Sequence, residues 1–144
     1  MVSQVSYLGF ALAALASKGR DIWNKTLSRI DVEGGSEDDK TVLYSSYYRT
    51  FERPICMSED GRYFSAFDGK IHEDNGVPFY TDDWIWDTYR AAHPLYTIIT
   101  PERVDGFVTS LLEHGEDQGF LPIWGLWGKE TYTMIANHGV SVIA

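Results

Sequence analysis

The chain predicts a mainly helical fold with long irregular loops and one short β-hairpin, forming part of an α/α toroid. Three observations carry this expectation. Apolar residues recur at helical spacing in several stretches, aromatic-rich connections join those stretches, and Asp-Gly turn pairs cluster in a single region. Helices linked by long, aromatic-bearing loops suggest a toroid whose loops form a cleft.

Val5 to Leu27 reads as helix, broken near Gly19, with Asp21 capping a second piece that places Ile22, Trp23 and Leu27 on one face. Within it, Tyr7 to Ala16 is apolar and Ala14-Leu15-Ala16 resembles a signal-peptidase site. Met1 to Ser6 carries no Lys or Arg, so the usual basic start of a signal peptide is absent. The run is too short to span a membrane, and an ordinary helix is expected. Arg29 to Val32 is an extended exit. Glu33 to Lys40 is a polar loop whose Glu37-Asp38-Asp39 cluster does not fit an EF-hand and reads as solvated surface.

Thr41 to Phe51 is the next helix, ended by Pro54, with Leu43, Tyr47 and Phe51 on one face. Asp60-Gly61 and Asp68-Gly69 flank a short strand pair over Arg62 to Phe67, and Asn75-Gly76 marks a further turn. Trp84 to Thr100 reads as helix, interrupted or entered anew at Pro94. Pro101 suits the first position of the following helix, with Thr100 as cap, and that helix runs to about Glu116 with Val104, Phe107, Val108, Leu111 and Leu112 buried. Phe120 to Trp127 is an aromatic connection, and a last helix spans Thr131 to Ile143. The apolar run Val140 to Ala144 has no cap or polar tail, which leads us to expect a fragment of something larger.

With 144 residues the chain is long enough for one domain with a core. Its 12 basic and 21 acidic residues give a formal charge of −9, which argues against nucleic acid and against anionic membrane surfaces as partners. Cys56 is the only cysteine, so no intrachain disulfide forms. The four histidines are scattered, without metal-ligand spacing.

Two segments carry residues suited to chemistry. In W-I-W-D-T-Y-R-A-A-H (84–93), helical spacing makes Trp86, Arg90 and His93 successive neighbours and sets Asp87 beside Arg90. Flat rings beside hydrogen-bonding groups suit a polyhydroxylated ligand. A cation–π contact and a solvated ion pair would explain the same spacing. In W-G-L-W-G-K-E-T (124–131), Glu130 stands at an expected helix start between loops bearing Trp124 and Trp127. Poor solvation against indole rings would raise its pKa and suit a general acid, whereas a helix dipole and Lys129 would favour the ionised form. Glycosidic cleavage needs two carboxyl groups, and whether Asp87 and Glu130 form that pair stays open.

Over roughly residues 20–144 the chain resembles glycoside hydrolase family 92, the exo-acting α-mannosidases. The likeness rests on L-Y-S-S-Y-Y-R-T (43–50), D-G-R-Y (60–63), D-G-K-I-H (68–72), W-D-T-Y-R-A-A-H-P-L (86–95), P-E-R-V (101–104), G-F-L-P-I-W (119–124), G-K-E-T (128–131) and N-H-G-V-S-V-I-A (137–144). The resemblance implies an α/α-toroid catalytic domain preceded by a β-sandwich domain. It also implies calcium-dependent removal of terminal α-linked mannose from N-glycans or mannan, with inversion. Glu130 is implied as the catalytic acid, with Trp86, Asp87, Arg90, His93, Trp124 and Trp127 binding substrate. No residue of this chain is implied as a metal ligand. The base aspartates and most calcium ligands are expected beyond Ala144, Lys129 stands where the family often has Asn, and the first 19 residues match poorly. The expectation is therefore the N-terminal part, 1–144, of a catalytic domain that lacks its β-sandwich and the rest of the toroid. Such a stretch is expected to be inactive alone, and the parent enzyme to be secreted or periplasmic. The alternative is a catalytically inactive carbohydrate-binding relative or fragment.

Overall fold

The computed structural model describes residues 2–144, with side chains from Ala11 onward. Helix α1 spans Val2–Leu27 and α2 spans Glu37–Arg49. Both belong to a first compact unit, Met1–Arg49, and the remaining residues, Thr50–Ala144, form a second.

In the first unit α1 runs through Gly19 without the expected break. A single helical glycine costs only about 1 kcal/mol, less than is lost by opening the ladder of a long helix. The side chains of the apolar run from Tyr7 to Phe10 lie outside the described residues. No helix among the described residues is long and apolar enough to cross a membrane. Trp23 packs against Tyr48, with ring centroids 4.5 Å apart, and the Tyr44 hydroxyl donates to the Ile30 carbonyl at 2.9 Å.

The acidic cluster 37–39 is exposed, as expected, but forms the first turn of α2 instead of a loop. Ser36 and Asp39 form a reciprocal cap. The Asp39 N–H donates to Ser36 Oγ at 3.1 Å, and the Ser36 N–H donates to Asp39 Oδ2 at 3.0 Å. This is the capping-box arrangement with Asp in the place of Glu. The three acids also complement the positive helix end.

The second unit is built on α4 (Ala92–Ile99) and α5 (Pro101–Gln118). Thr100 and Pro101 turn the chain between them, and Gly119 ends α5 in the left-handed region at φ 84°. The buried face of α5 is Gly106, Phe107, Ser110, Leu111 and His114. Leu112, expected inside, is 45% exposed. Gly106 lets the neighbouring chain approach closely: a Cβ there would stand 2.7 Å from Cε2 of Tyr80. Tyr80 meets Phe107 edge-on at 4.6 Å, and Tyr96 packs beside Phe107 at 5.3 Å. Burial pushes the Tyr96 phenol up to about 12, so it stays a donor, 2.6 and 2.7 Å from the Thr50 and Arg53 carbonyls.

Three two-stranded antiparallel sheets surround this core among the described residues. Strand β1 (Ile55–Cys56) pairs with β4 (Tyr80–Thr81), β2 (Arg62–Ser65) with β3 (Lys70–Glu73), and β5 (Gly125–Leu126) with β6 (Lys129–Glu130). The β2–β3 hairpin begins after Asp60-Gly61 as expected but extends to Glu73, so Asp68-Gly69 lies in its connecting loop and does not flank it; Tyr63 is stacked on Phe79 at 4.0 Å. The last helix is much shorter than expected: α6 covers only His138–Ile143, and residues 131–137 are irregular. Glu130 consequently lies in a strand, not at a helix start. The whole is similar to the mainly helical architecture expected. A toroid is a closed ring of helices, which this length of chain does not complete.

Candidate functional site

The site forms where the segment after β4 meets the β5–β6 hairpin. From Thr81 the chain passes through Asp82 (φ 54°), Asp83 and Trp84 (φ 52°) before the single turn α3, Ile85–Thr88. Asp tolerates the left-handed region because its short side chain can bond locally, whereas Trp there is a genuine outlier. The fold holds the strain in place from several sides. The Tyr80 N–H donates to Ser110 Oγ at 2.8 Å, and Ile85 is 2% exposed. Asp82 Oδ1 accepts from the Thr81 hydroxyl at 3.3 Å and from the Gly128 N–H at 3.4 Å.

The ten residues 84–93 are therefore not one helix. The ladder breaks after Thr88 and resumes at Ala92, so Pro94 sits in the first turn of α4, where its missing N–H costs nothing. The expected stripe of Trp86, Arg90 and His93 is divided. Trp86 is half-buried with the Arg90 guanidinium 5.6 Å from its ring centre. Asp87 and Arg90 are exposed. His93 is buried at 7% exposure. Its Nε2 lies 2.8 and 3.0 Å from the two carboxylate oxygens of Asp83.

The second segment is a tight hairpin. Trp127 and Gly128 occupy its two-residue turn with φ 54° and 73°, the sign that type I′ turns require at both positions. An Asn would be the usual first residue. Here the position holds a Trp that is 80% exposed. Gly128 is buried, its Cα facing Ala66 and Thr81. Trp124 stacks on Trp84 with centroids 5.7 Å apart and planes 11° from parallel. Arg53 covers Trp84 at 4.5 Å. Thus the two segments singled out by sequence do meet, through Trp84–Trp124, and Gly128–Asp82 joins the second to the residues just before the first.

Glu130 lies inside the hairpin at 5% exposure. Its carboxylate accepts from the Ile123 N–H at 2.6 Å, Trp124 at 3.1 Å, Thr131 at 2.8 Å and Tyr132 at 3.0 Å. Burial pushes its pKa up, but these four backbone donors outweigh burial and hold it below the ordinary carboxylate range. The expected rise is not found, because backbone N–H groups rather than indole faces meet the oxygens.

Asp82 and Asp83 escaped the sequence reading. Paired aspartates before a Trp, in a segment with no helix period, were the available signal. They border a small cavity against α5, with Ser110 and His114 on its far side. Burial lowers the pKa of His114 and keeps its ring neutral near pH 7. Among the described residues no group of three His, Cys, Asp or Glu side chains is placed to hold a metal ion.

A sequence model described as the glycosyl hydrolase family 92 catalytic domain matches residues 3–144, and so begins well before Gly19. No curated protein matches the chain. Similar solved structures include the family GH92 α-mannosidase BT3965 from Bacteroides thetaiotaomicron, at 32% identity over 90% of this chain with a TM-score of 0.82. The family GH92 inverting mannosidase BT2199 of the same organism has 33% identity over 91% of this chain, with a TM-score of 0.81. BT3965 in complex with mannoimidazole also matches, at 32% identity over 88% of this chain, with a TM-score of 0.79. The chain spans 18% of the length of the first two and 17% of the third.

Proposed function

We propose that this chain, which belongs to glycosyl hydrolase family 92, supplies part of the sugar-binding wall in an exo-α-mannosidase catalytic domain. The carrying observation is the strained junction itself. Backbone strain at Asp82, Trp84 and Trp127 is spent on presenting indole surface next to charged groups, and such outliers concentrate at functional sites. Exposed Trp127 offers a face for sugar C–H groups, and Asp87 and Arg90 offer an acceptor and donors for hydroxyls. Trp86 lies against the Arg90 guanidinium and Trp124 against Trp84, and His93 is buried against Asp83. That a similar protein was solved with mannoimidazole supports a mannose-shaped ligand.

Hydrolysis with inversion would need an acid and a base on opposite faces of the sugar, about 6.5–9.5 Å apart. Glu130 is our proposed proton donor on the resemblance alone. Because its oxygens accept four backbone N–H bonds in the free chain, donation requires the Thr131 and Tyr132 contacts to open with substrate bound. The base, and the β-sandwich and remaining helices of the toroid, are proposed to come from other parts of the enzyme. Calcium does not fit the described residues, among which no three His, Cys, Asp or Glu side chains converge, and Asp83 is committed to His93 and Asp82 to Thr81 and Gly128. Its ligands are proposed to lie elsewhere in the domain. A parent acting on glycans outside the cytoplasm is part of the same proposal.

A second reading, sugar binding without cleavage, is favoured by the same ionised Glu130. One experiment separates them. A catalytic domain containing this chain is assayed for mannose release from α-1,2-mannobiose, with the anomer followed by NMR. Release of β-mannose that Glu130→Gln reduces by ~10²–10⁴, with far less loss on an activated aryl mannoside, supports the enzyme. Binding with no release supports the second reading.

A further inference from the structure

The turn that carries Trp86 and Asp87 should not be stable by itself. Helix α3 has four residues, its N-cap Trp84 is left-handed, and no side chain caps it. So short a helix is far below the length that stands alone in water. Burial of Ile85 anchors one side of it. The Trp84–Trp124 and Tyr89–His138 stacks hold its two ends, and Asp83 adds a polar restraint. Its Oδ1 accepts from the Thr88 hydroxyl at 2.9 Å, and the carboxylate also faces His93 Nε2 at 2.8 and 3.0 Å. The Thr88–Asp83 bond closes a ring around residues 84–87, and the His93 contact fastens that ring to the first turn of α4. His93 is itself fixed edge-on by Tyr96 at 5.5 Å and by Phe107 at 5.9 Å.

We propose that Asp83, with Thr88 and His93, is a positioning network that holds Trp86 and Asp87 in the geometry needed to receive the sugar. It touches no substrate. The inference rests on the sugar-site reading given above and deepens it. The chemistry is a charge-assisted clamp: the carboxylate accepts from the Thr88 hydroxyl at the end of α3 and from the imidazole N–H of His93, and the second bond spans the break between α3 and α4.

Asp83→Asn risks unfolding, so Thr88 is the residue to change. Thr88→Val keeps the shape and burial of the side chain but removes the hydroxyl; Thr88→Ser keeps the hydroxyl. The first readout is amide hydrogen exchange, which needs no ligand. The Asp87 N–H, bonded to the Trp84 carbonyl at 2.8 Å, should exchange about tenfold faster in Thr88→Val, the scale expected for losing one hydrogen bond to a charged group. Amides of α5 should not change, and Thr88→Ser should restore the original rate. Unchanged Asp87 exchange, or equal acceleration throughout α5, overturns the clamp. The second readout is affinity for methyl α-mannoside by titration calorimetry. Thr88→Val should weaken it about tenfold at an almost constant melting temperature, with rescue by Thr88→Ser. Asp87→Asn is the control. If it leaves affinity unaltered, the sugar-site reading fails. If it weakens binding while Thr88→Val does not, the positioning role fails and the sugar site stands.

Discussion

The β2–β3 and β5–β6 hairpins differ in how their turns are built, a four-residue loop between Ser65 and Lys70 against a two-residue turn between Leu126 and Lys129, and in what those turns serve. Each closes on a left-handed glycine, Gly69 at φ 70° and Gly128 at φ 73°. Each has a carboxylate held below its ordinary pKa. Asp68 is lowered by a hydrogen bond from His72 and by the Lys70 N–H, and it lies in the open on the surface. Glu130 is lowered by four backbone donors in spite of burial. In the first hairpin the left-handed position is filled by Gly69, the residue that meets no steric penalty there. In the second a Trp occupies the left-handed position at the tip, against that penalty. Residues that satisfy the backbone make a stable turn, and residues that oppose it mark where presentation of a side chain is the purpose.

The largest test of this contrast is Glu130→Gln. Removing the buried charge leaves several backbone N–H groups poorly matched, and the amide adds two donors facing donors. We expect a loss of about 3 kcal/mol in urea unfolding. The pH dependence follows from the lowered pKa. The unfolded state takes up the proton first, so this stability is complete above the ordinary value of 4.5 and is lost as pH falls through the folded pKa. Glu130→Gln should flatten that acid limb. A variant as stable as the parent, with the limb unchanged, would remove Glu130 from its place as the hairpin's internal anchor.

Trp127→Asn should act in the opposite direction. It creates the favoured Asn-Gly turn and relieves a left-handed Trp, so stability should rise by about 1 kcal/mol while affinity for methyl α-mannoside falls. A stabilised variant with undiminished affinity would show that the strain has no bearing on the ligand. The smallest effect is expected at Asp68→Asn. With carboxylate and partners in solvent, the urea midpoint at neutral pH should not move measurably, since exposed ion pairs contribute little. A clear loss there would erase the contrast between the hairpins.

The sequence made one half of this comparison legible and the other only partly so. Turn pairs located the start of β2–β3, and Pro101 after Thr100 opened α5, because Gly, Pro and Asp act through local backbone energies. The same reasoning read 84–93 as one helix, since residue spacing is blind to a left-handed Trp84 and to an Asp83 that draws His93 inward. It put Glu130 at a helix start because a last helix is expected from Thr131 onward, whereas the chain over 131–137 is irregular and tied to Trp124 by the Thr131 hydroxyl at 2.9 Å. Ser36 and Asp39 show a signal that was present locally and passed over: a cap with Asp in place of Glu. The meeting of residues 82–84 with 124–128 is long-range, and no local pattern encodes it. The shared family explains why both segments stood out before their contact was known.

The central claim is that this junction, and not the exposed hairpin, receives mannose. The most direct measurement is an NMR titration of the chain with methyl α-mannoside, following backbone amides and indole N–H signals. Saturable shifts at Trp86, Asp87, Arg90 and Trp127, with the amides of residues 62–73 unmoved, are the predicted result. Shifts centred on residues 62–73, or no saturable shift at the junction, would contradict it.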